Sequence, residues 1–280
     1  MELLVFLRMA SVDRFANKTT TRLRRRFLES AKTSANGAVC QANMTLYGWL
    51  KYPDSGILDR LFPLAVRPTM TTRVKICGLT RVDDVDRAVD LGADAIGLVF
   101  HARSPRHLNL VQAEKLLARI PAFVTRVALF RDASAASVAQ VAQRLQIDAL
   151  QFHGSESNEF AQQFNKRWFK AIGMGDPELR GDRLATELAA YPGSCGLLFD
   201  SHSVRKMGGS GKQFDWSALP QPMPAGSILA GGLSADNVAQ AIQTTQAFAV
   251  DVSSGVELAP GVKSAQRMKE FFDEVKRVSK

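Results

Sequence analysis

The stretch Arg73-Val74-Lys75-Ile76-Cys77-Gly78-Leu79-Thr80 decides the fold expected for this chain. Its apolar and polar residues alternate with the period of two of a β-strand, so Lys75 and Cys77 share one face. The strand ends at Gly78, and Thr80 is a candidate N-cap for the helix that follows. Cys77 therefore lies at the carboxyl end of a strand, directly before a helix, where parallel α/β proteins place their active sites.

The same unit of strand and helix repeats along the chain. Strands are predicted at 73–79, 95–100, 125–130, 149–153, 168–173, 195–200, 227–231 and 248–253. Helical segments follow at 83–91, 109–119, 134–145, 157–165, 178–190, 215–219, 234–243 and 264–277, the sixth with the weakest pattern. Ser134 and Ser234 are candidate N-caps. Eight strands in strict alternation with eight helices specify an α/β fold, a (βα)8 TIM barrel of parallel strands with outer helices, over residues 71–280.

Residues 1–70 have a different composition from the rest. They contain 11 Lys+Arg and 5 Asp+Glu, so most of the chain's net charge of +9 lies there, with a cluster at Arg22, Arg24, Arg25 and Arg26. Without a sustained hydrophobic period, they are interpreted as a disordered basic extension, or as an artefact of a start codon upstream of Met70. An organelle transit peptide and a basic arm that touches RNA or an anionic membrane are the open alternatives.

Composition excludes several classes of protein. Hydrophobic residues make up 46% of the chain, which is ample for a core, and three cysteines are too few and too scattered for a disulfide framework or a zinc site. That cysteine usage favours the cytoplasm. The apolar runs are far shorter than the roughly 20 residues of a membrane helix. A nucleic-acid-binding protein should carry its charge on the folded domain, so we expect neither nucleic acid nor membrane as a partner.

Two residues at the predicted strand ends have the properties of a general acid and a general base. Asp200 ends an apolar run, where a carboxylate loses solvation. Because that loss is costly, the carboxylate there is expected to have a partner or a functional role. Cys77 taken alone is more often a small buried hydrophobe. Together they form a catalytic acid/base pair, provided that burial raises the pKa of Asp200 and nearby donors or dipoles lower that of Cys77.

Glycines and serines after the last two strands predict a phosphate site. Gly231 and Gly232 end strand seven, and Ser253, Ser254 and Gly255 end strand eight. In barrels of this kind the loops after strands seven and eight form the usual phosphate cradle, and glycine permits close approach of backbone N–H groups to the anion. The alternative is that these residues form tight turns and nothing more.

A further glycine-rich segment, Gly208-Gly209-Ser210-Gly211-Lys212, follows strand six by several residues. It lacks the spacing of a P-loop. We interpret it as a flexible loop that closes over the substrate. Gly209 and Gly211 are grouped with the phosphate-binding residues, and Lys212 is a candidate contact to an anion.

Other polar side chains on the same rim are candidate substrate contacts. Arg103 and Arg106 follow strand two, and a guanidinium there is suited to a carboxylate, although most arginines are solvated surface charges. Gln151 and His153 end strand four, and His153 is equally consistent with a satisfied barrel histidine.

Lys75 is expected to point into the barrel below Cys77, where its ammonium needs an acidic partner. Asp251 of strand eight is the candidate for that partner, and it is also counted among the substrate contacts.

Taken in order, these segments resemble the phosphoribosylanthranilate isomerases of tryptophan biosynthesis. The matching segments are 75–80, 92–95 with Gly97 and Phe100, 104–106, 151–154, 198–200, 208–212 with 214–216, and 251–257. Each segment alone is weak, but seven in this order and spacing are highly specific. The resemblance covers about residues 72–277, and residues 1–70 have no counterpart in it.

The resemblance implies a barrel that needs no cofactor and no metal. It implies conversion of N-(5-phosphoribosyl)anthranilate to 1-(2-carboxyphenylamino)-1-deoxyribulose 5-phosphate by an Amadori rearrangement. By family analogy Asp200 is the general acid that opens the furanose ring to a Schiff base, and Cys77 is the general base that removes the C2 proton. Arg106 matches the arginine that holds the anthranilate carboxylate, and Gly232 with Ser254 and Gly255 matches the phosphate site.

The expected partner is therefore a small phosphoribosyl substrate, and the expected state is a monomer or a homodimer. Another phosphosugar aldose-ketose isomerase barrel is the alternative. The histidine-pathway isomerase performs the same rearrangement on a different substrate. In that family the strand ends look like they carry a pair of aspartates, whereas here the first strand ends in Cys77.

Overall fold

The computed structural model of this chain describes residues 71–201 and 214–279. In them, eight parallel strands hydrogen-bond in sequence order and close into a barrel. The strands are β1 (Arg73–Cys77), β2 (Ala95–Val99), β3 (Thr125–Phe130), β4 (Ala149–Phe152), β5 (Arg167–Gly173), β6 (Leu197–Asp200), β7 (Ile228–Leu229) and β8 (Ala249–Val252). The predicted (βα)8 barrel is confirmed. The extension at 1–70, its arginine cluster and the segment with Gly209 and Gly211 lie outside the described residues.

The helices pack on the outside of the barrel because their apolar faces recur with helical spacing. They are α1 (Val82–Leu91), α2 (Leu110–Leu117), α3 (Ala135–Arg144), α4 (Asn158–Gln162), α5 (Gly181–Ala189), α6 (Val238–Thr245) and α7 (Ala265–Val278). The weak sixth helical segment is a single 3-10 turn at Trp216–Ala218, capped by Asp215. Helices and strands begin and end within four residues of the predicted positions.

Two of the three predicted N-caps are wrong. Ser134 does cap α3, accepting a hydrogen bond from the Ser137 N–H at 3.2 Å. Thr80 instead donates its hydroxyl to the carbonyl of Gly261, and α1 begins after Arg81. Ser234 does not cap α6 because the Asn237 side chain accepts the Ser234 N–H and forms a preceding turn, which delays the helix to Val238.

The chain after β8 departs most from the prediction. A 3-10 helix (Ser254–Val256) leads into a two-stranded hairpin, β9 (Glu257–Ala259) and β10 (Val262–Lys263). Only then does α7 begin, capped by Ser264. This hairpin places side chains of the last βα connection next to the end of β1.

Alternate residues of the strands fill the barrel and the layer outside it. On β1, Val74 and Ile76 face the helices, and Lys75 faces the interior, as predicted. Val127, Phe169 and Leu198 pack within the interior below the rim. Each buried apolar side chain of this size stabilises the fold by roughly 1.5–3 kcal/mol, so the barrel is a rigid support for its loops. Nowhere in residues 71–201 and 214–279 does a helix combine the length and apolar character needed to cross a bilayer.

Candidate active site

A cavity opens at the carboxyl ends of the barrel strands, and almost all the predicted site residues line it. Both members of the predicted acid/base pair, Cys77 and Asp200, face this one cavity. The predicted substrate and phosphate contacts that line it are Arg106, Gln151, His153, Asp251, Gly231, Gly232, Ser253, Ser254 and Gly255. Gly209 and Gly211 fall in the part of the chain that the structure leaves undescribed.

The thiol of Cys77 is held between β2 and the barrel interior. Its neighbour in register on β2 is Gly97, and a Cβ there would lie 2.8 Å from the Cys77 Sγ. Glycine at this strand position therefore makes the room that the thiol occupies. On the other side, the Lys75 ammonium contacts the thiol and forms an ion pair of 2.9 Å with Asp251 of β8. The predicted pairing of Lys75 with Asp251 is present.

Burial dominates the ionisation of this cluster. It raises the pKa of the Cys77 thiol, and the positive charges of Lys75 and Lys263 oppose that rise without reversing it. The condition set for Cys77 as a base, that nearby donors lower its pKa, is therefore not met in the protein without substrate. Burial also raises the pKa of Asp251, although Lys75 stabilises its charged form.

Arg106 lies on the cavity wall beside Cys77, but its guanidinium is already hydrogen-bonded. Nε and Nη2 donate to the two carboxylate oxygens of Glu257 at 2.8 and 2.6 Å, a bidentate pair. Its stem crosses directly above Gly78, which has a left-handed φ of +75° and where any Cβ would overlap the Arg106 Cδ. The hydrogen bonds from Arg106, with the charge of Lys263, lower the pKa of Glu257 despite its burial.

Asp200, at the end of β6, lines the same cavity beside His153. Nε2 of His153 lies 3.6 Å from Oδ2 of Asp200, and Nδ1 of His153 lies 3.3 Å from Nε2 of Gln151. The side chains of His153 and Asp200 are 15% and 18% exposed, so both border the cavity. This series of polar groups connects β4 with β6 and turns the Asp200 carboxylate toward the site.

The phosphate end of the cavity depends on close backbone contacts between loops. A Cβ at Gly255 would overlap the carbonyl of Leu233, and a Cβ at Gly231 would overlap the backbone nitrogen of Ser201. The turns after β6, β7 and β8 are therefore packed against one another at positions that only glycine can occupy. Such a concave backbone surface suits a phosphate group.

Sequence reasoning missed three charged residues at or beside this cavity. Arg131 directly follows β3 and lines the cavity, and a charged residue ending an apolar run was the same signal that identified Asp200. Glu257 and Lys263 lie on the hairpin after β8, which no pattern predicted. His101 and Ser104 also line the cavity. Nowhere in the described ranges do three or more His, Cys, Asp or Glu side chains form a group that could hold a metal ion.

The family model described as N-(5'phosphoribosyl)anthranilate (PRA) isomerase matches residues 74–274. The chain belongs to this family. A curated phosphoribosylanthranilate isomerase of Halorhodospira halophila is 47% identical over 208 residues, which cover 74% of this chain and 98% of that protein. The family model spans the barrel from Val74 of β1 into α7.

Solved phosphoribosylanthranilate isomerases have the same fold. One is a crystal structure in complex with reduced 1-(o-carboxyphenylamino)-1-deoxyribulose 5-phosphate, with a TM-score of 0.63 and 33% identity over 74% of this chain and 99% of that one. Another describes monomers generated from the dimeric isomerase of Thermotoga maritima, again with a TM-score of 0.63, 33% identity and coverage of 74% and 99%.

Proposed function

We propose that residues 71–280 catalyse the isomerisation of N-(5-phosphoribosyl)anthranilate to 1-(2-carboxyphenylamino)-1-deoxyribulose 5-phosphate in tryptophan biosynthesis, with Cys77 as base and Asp200 as acid. The observation that carries the assignment of these two residues is their position on opposite walls of one cavity. That cavity also borders an arginine and a set of glycine-rich turns. These three features suit the three parts of the substrate, which are a carboxylated ring, a ribose and a phosphate.

The acid acts first in this scheme. Asp200 in its protonated form donates to the furanose ring oxygen, the C1–O bond breaks, and the ring opens to a Schiff base. His153, 3.6 Å from the carboxylate, orients it and receives or returns protons at the edge of the cavity. The partial exposure of both groups allows the acid to regain its proton from solvent between turnovers.

The base acts on the open-chain Schiff base. The Cys77 thiolate removes the proton from C2, and the electrons move into the C1–C2 bond to give an enolamine, which tautomerises to the ketone. Lys75 and Lys263 place positive charge beside the sulfur, which favours the thiolate over the thiol. Because burial keeps the pKa of the thiol raised, only a fraction of the protein alone carries the active base at neutral pH.

The remaining cavity residues bind the ends of the substrate. Arg106 retains three of its five N–H groups beyond those given to Glu257, and these are available to the anthranilate carboxylate. Among the described residues, Oδ1 of Asp251 and Oε1 of Gln151 are buried acceptors without a hydrogen-bond donor. Hydroxyl groups of the ribose would supply donors to both. Gly231, Gly232, Ser253, Ser254 and Gly255 would hold the phosphate.

Several expectations about the whole protein stay predictions. They are action without a cofactor, a cytoplasmic location, a monomeric or homodimeric state, and no binding of nucleic acid. Size-exclusion chromatography tests the assembly state. A salt-dependent DNA and RNA shift assay on the full chain and on a chain starting at Met70 tests the role of the basic N-terminal region.

The activity is tested with a coupled fluorescence assay that follows the disappearance of phosphoribosylanthranilate. The full chain and a chain starting at Met70 are expected to turn it over. Cys77→Ala and Asp200→Asn should each lower kcat by about 10²- to 10⁴-fold, the range for loss of a general acid or base. Thermal unfolding should show that both variants still fold.

Two matched variants act as controls at the other end of the barrel. Cys195→Ala changes an exposed cysteine, and Asp148→Asn changes a carboxylate that pairs with Arg126. Both should retain the turnover of the parent protein. Normal turnover in Cys77→Ala or in Asp200→Asn would reject the assignment of that residue.

A further inference from the structure

Lys263 lies on the short hairpin after β8 and has a fully buried side chain, although nothing in the sequence marks it as part of the site. Its backbone N–H donates to Asp84 of α1 at 3.1 Å, which fixes β10 against the helix that follows the base. A buried ammonium is costly unless every proton has an acceptor and a counter-charge is near. The partners of this ammonium are therefore informative.

The ammonium of Lys263 joins the ends of the first and last barrel strands. It donates to the carbonyl of Cys77 at 2.7 Å and to the carbonyl of Ser253 at 3.0 Å. The backbone ladder between β1 and β8 ends one residue earlier, at Ile76 paired with Val252. Lys263 therefore bridges the next pair of residues in register, Cys77 and Ser253. Cys77 carries the proposed base, and Ser253 begins the turn predicted to bind phosphate.

The third donor connects the same ammonium to the arginine on the cavity wall. Oε1 of Glu257 accepts from Lys263 at 2.7 Å and also from Nε of Arg106 at 2.8 Å. The second carboxylate oxygen accepts from Nη2 of Arg106. One buried carboxylate thus holds two cations, and the orientation of Arg106 depends on the same group that neutralises Lys263.

We propose that Lys263 is a positioning residue that fixes the end of the Cys77 strand and the Ser253 turn relative to each other. Through Glu257 it also fixes the position of the Arg106 guanidinium. This inference rests on the proposed function, because it assigns Cys77 and Arg106 to the reaction. Without the ammonium, two carbonyls and a carboxylate lose a buried donor, and the base loses a nearby positive charge. The thiol of Cys77 also faces Lys75 of β1, Asp251 of β8 and the charge of Arg106. A substitution at 263 leaves Lys75 and Asp251 in place, whereas it frees Arg106 from one of the contacts that orient it.

The test compares Lys263→Met with the parent in a Cys40→Ser, Cys195→Ser full-length background, where Cys77 is the remaining thiol. The rate of alkylation by iodoacetamide is measured against pH, together with kcat and KM. In Lys263→Met the titration of the thiol should move to higher pH by about one unit, which is about a tenfold slower reaction below the midpoint. The value of kcat should fall at least tenfold, and KM should rise because Arg106 is released.

Lys170→Met is the matched control. Lys170 is another buried barrel lysine, paired with Glu156 at 3.5 Å, and its side chain is 3% exposed. Its substitution should lower the unfolding temperature while leaving the titration of Cys77 unchanged. A merely structural role for Lys263 would make the two variants alike in this respect.

A parent-like thiol titration in a folded Lys263→Met protein would overturn the proposal, whatever its kcat. If that variant does not fold, Lys263→Gln, which keeps two donors but no charge, is measured with the same criteria. Alkylation requires no turnover, so it tests the role of Lys263 even if the proposed isomerase activity is absent. A parent protein without isomerase activity would refute the function, whereas an unshifted thiol in the variant of an active parent refutes the positioning role alone.

Discussion

The two walls of the cavity are built from different kinds of interaction. On the base side two ion pairs are short and buried, 2.9 Å for Lys75 and Asp251 and 2.7 Å for Lys263 and Glu257, with side chains at most 8% exposed, and Arg106 on the cavity wall is 14% exposed. On the acid side, His153 and Asp200 are 3.6 Å apart and 15% and 18% exposed. The base side consists of Lys75, Cys77, Arg106, Asp251, Glu257 and Lys263, and the acid side of Gln151, His153 and Asp200.

This difference suits the two proton transfers that we propose. A carbon acid such as C2 needs a base whose position and electrostatic field are set before the substrate arrives, and buried charges provide that field without reorganisation. An acid that protonates an oxygen must be reloaded each cycle, and partial exposure provides access to solvent protons. In the proposed reaction, the base side would therefore supply electrostatic preorganisation and the acid side would exchange protons with solvent.

The ionisation of Cys77 gives the largest expected effect. Burial raises the pKa of the thiol, and iodoacetamide reacts with the thiolate, so the rate of alkylation of Cys77 should rise with pH. Below the pKa of the thiol the rise approaches tenfold per pH unit, or about 100-fold between pH 6 and pH 8. The measurement is the alkylation rate from pH 6 to pH 9 in the background without Cys40 and Cys195.

The pH dependence of kcat/KM should be weaker than that of alkylation, because the proposed reaction needs Asp200 protonated as well as Cys77 deprotonated, and rising pH depletes the first as it supplies the second. An alkylation rate that is flat between pH 6 and pH 8 would mean that the thiolate is already formed at neutral pH. It would contradict the assignment of a buried, mostly protonated thiol to the base side.

Gly78→Ala tests how strictly the base side is positioned. The left-handed φ of +75° and the overlap of a new Cβ with the Arg106 Cδ both oppose alanine. We expect a loss of stability of about 1–2 kcal/mol from the backbone conformation. Displacement of Arg106 should lower kcat/KM by roughly 10- to 100-fold, since misplacements of about 1 Å have costs of this order.

Gly92→Ala separates the two effects. Gly92 ends α1 with a φ of +96°, but a Cβ there would meet nothing within 4 Å. The control should therefore lose similar stability and retain the parent kcat/KM. Equal kcat/KM in Gly78→Ala and Gly92→Ala would show that the position of Arg106 above Gly78 does not matter to the reaction.

The contrast between the walls also explains what the sequence could predict. The barrel was predictable because each strand is a short apolar run that is buried on both faces and is followed by an amphipathic helix. Cys77 and Asp200 could be placed at a common rim because the carboxyl ends of the strands in such a barrel meet there by topology. Their position on a common cavity required only the strand order.

The buried charge network of the base side could not be predicted in the same way. Arg106 and Glu257 are 151 residues apart, and the hairpin that carries Glu257 and Lys263 has strands of three and two residues, too short to show a period. The direction of the Cys77 pKa shift also escaped prediction, because burial of the thiol depends on the packed barrel. Ser234 failed as a cap because the Asn237 side chain competes for its backbone.

Glu257→Gln tests whether the base side is held by charge. At neutral pH the amide cannot neutralise Lys263 and Arg106, so the free energy of unfolding should fall by about 3 kcal/mol, the order for breaking a buried ion pair. The pKa of Glu257 is lowered in the folded protein from the ordinary 4.5, so its stabilisation is complete above that value. It is lost as the pH falls through the lower folded pKa.

Below that window the parent carries a protonated, neutral Glu257 that resembles the amide, so the stability difference between parent and variant should shrink from pH 7 toward pH 3. Urea unfolding across this range measures it. Asp86→Asn is the control, because Asp86 pairs with Arg119 on the surface, where solvent screens the charges, and its unfolding midpoint should differ little from the parent at any pH. A Glu257→Gln penalty that is constant from pH 7 to pH 3 would mean that shape and hydrogen bonding, rather than the negative charge, hold Lys263 and Arg106 beside the base.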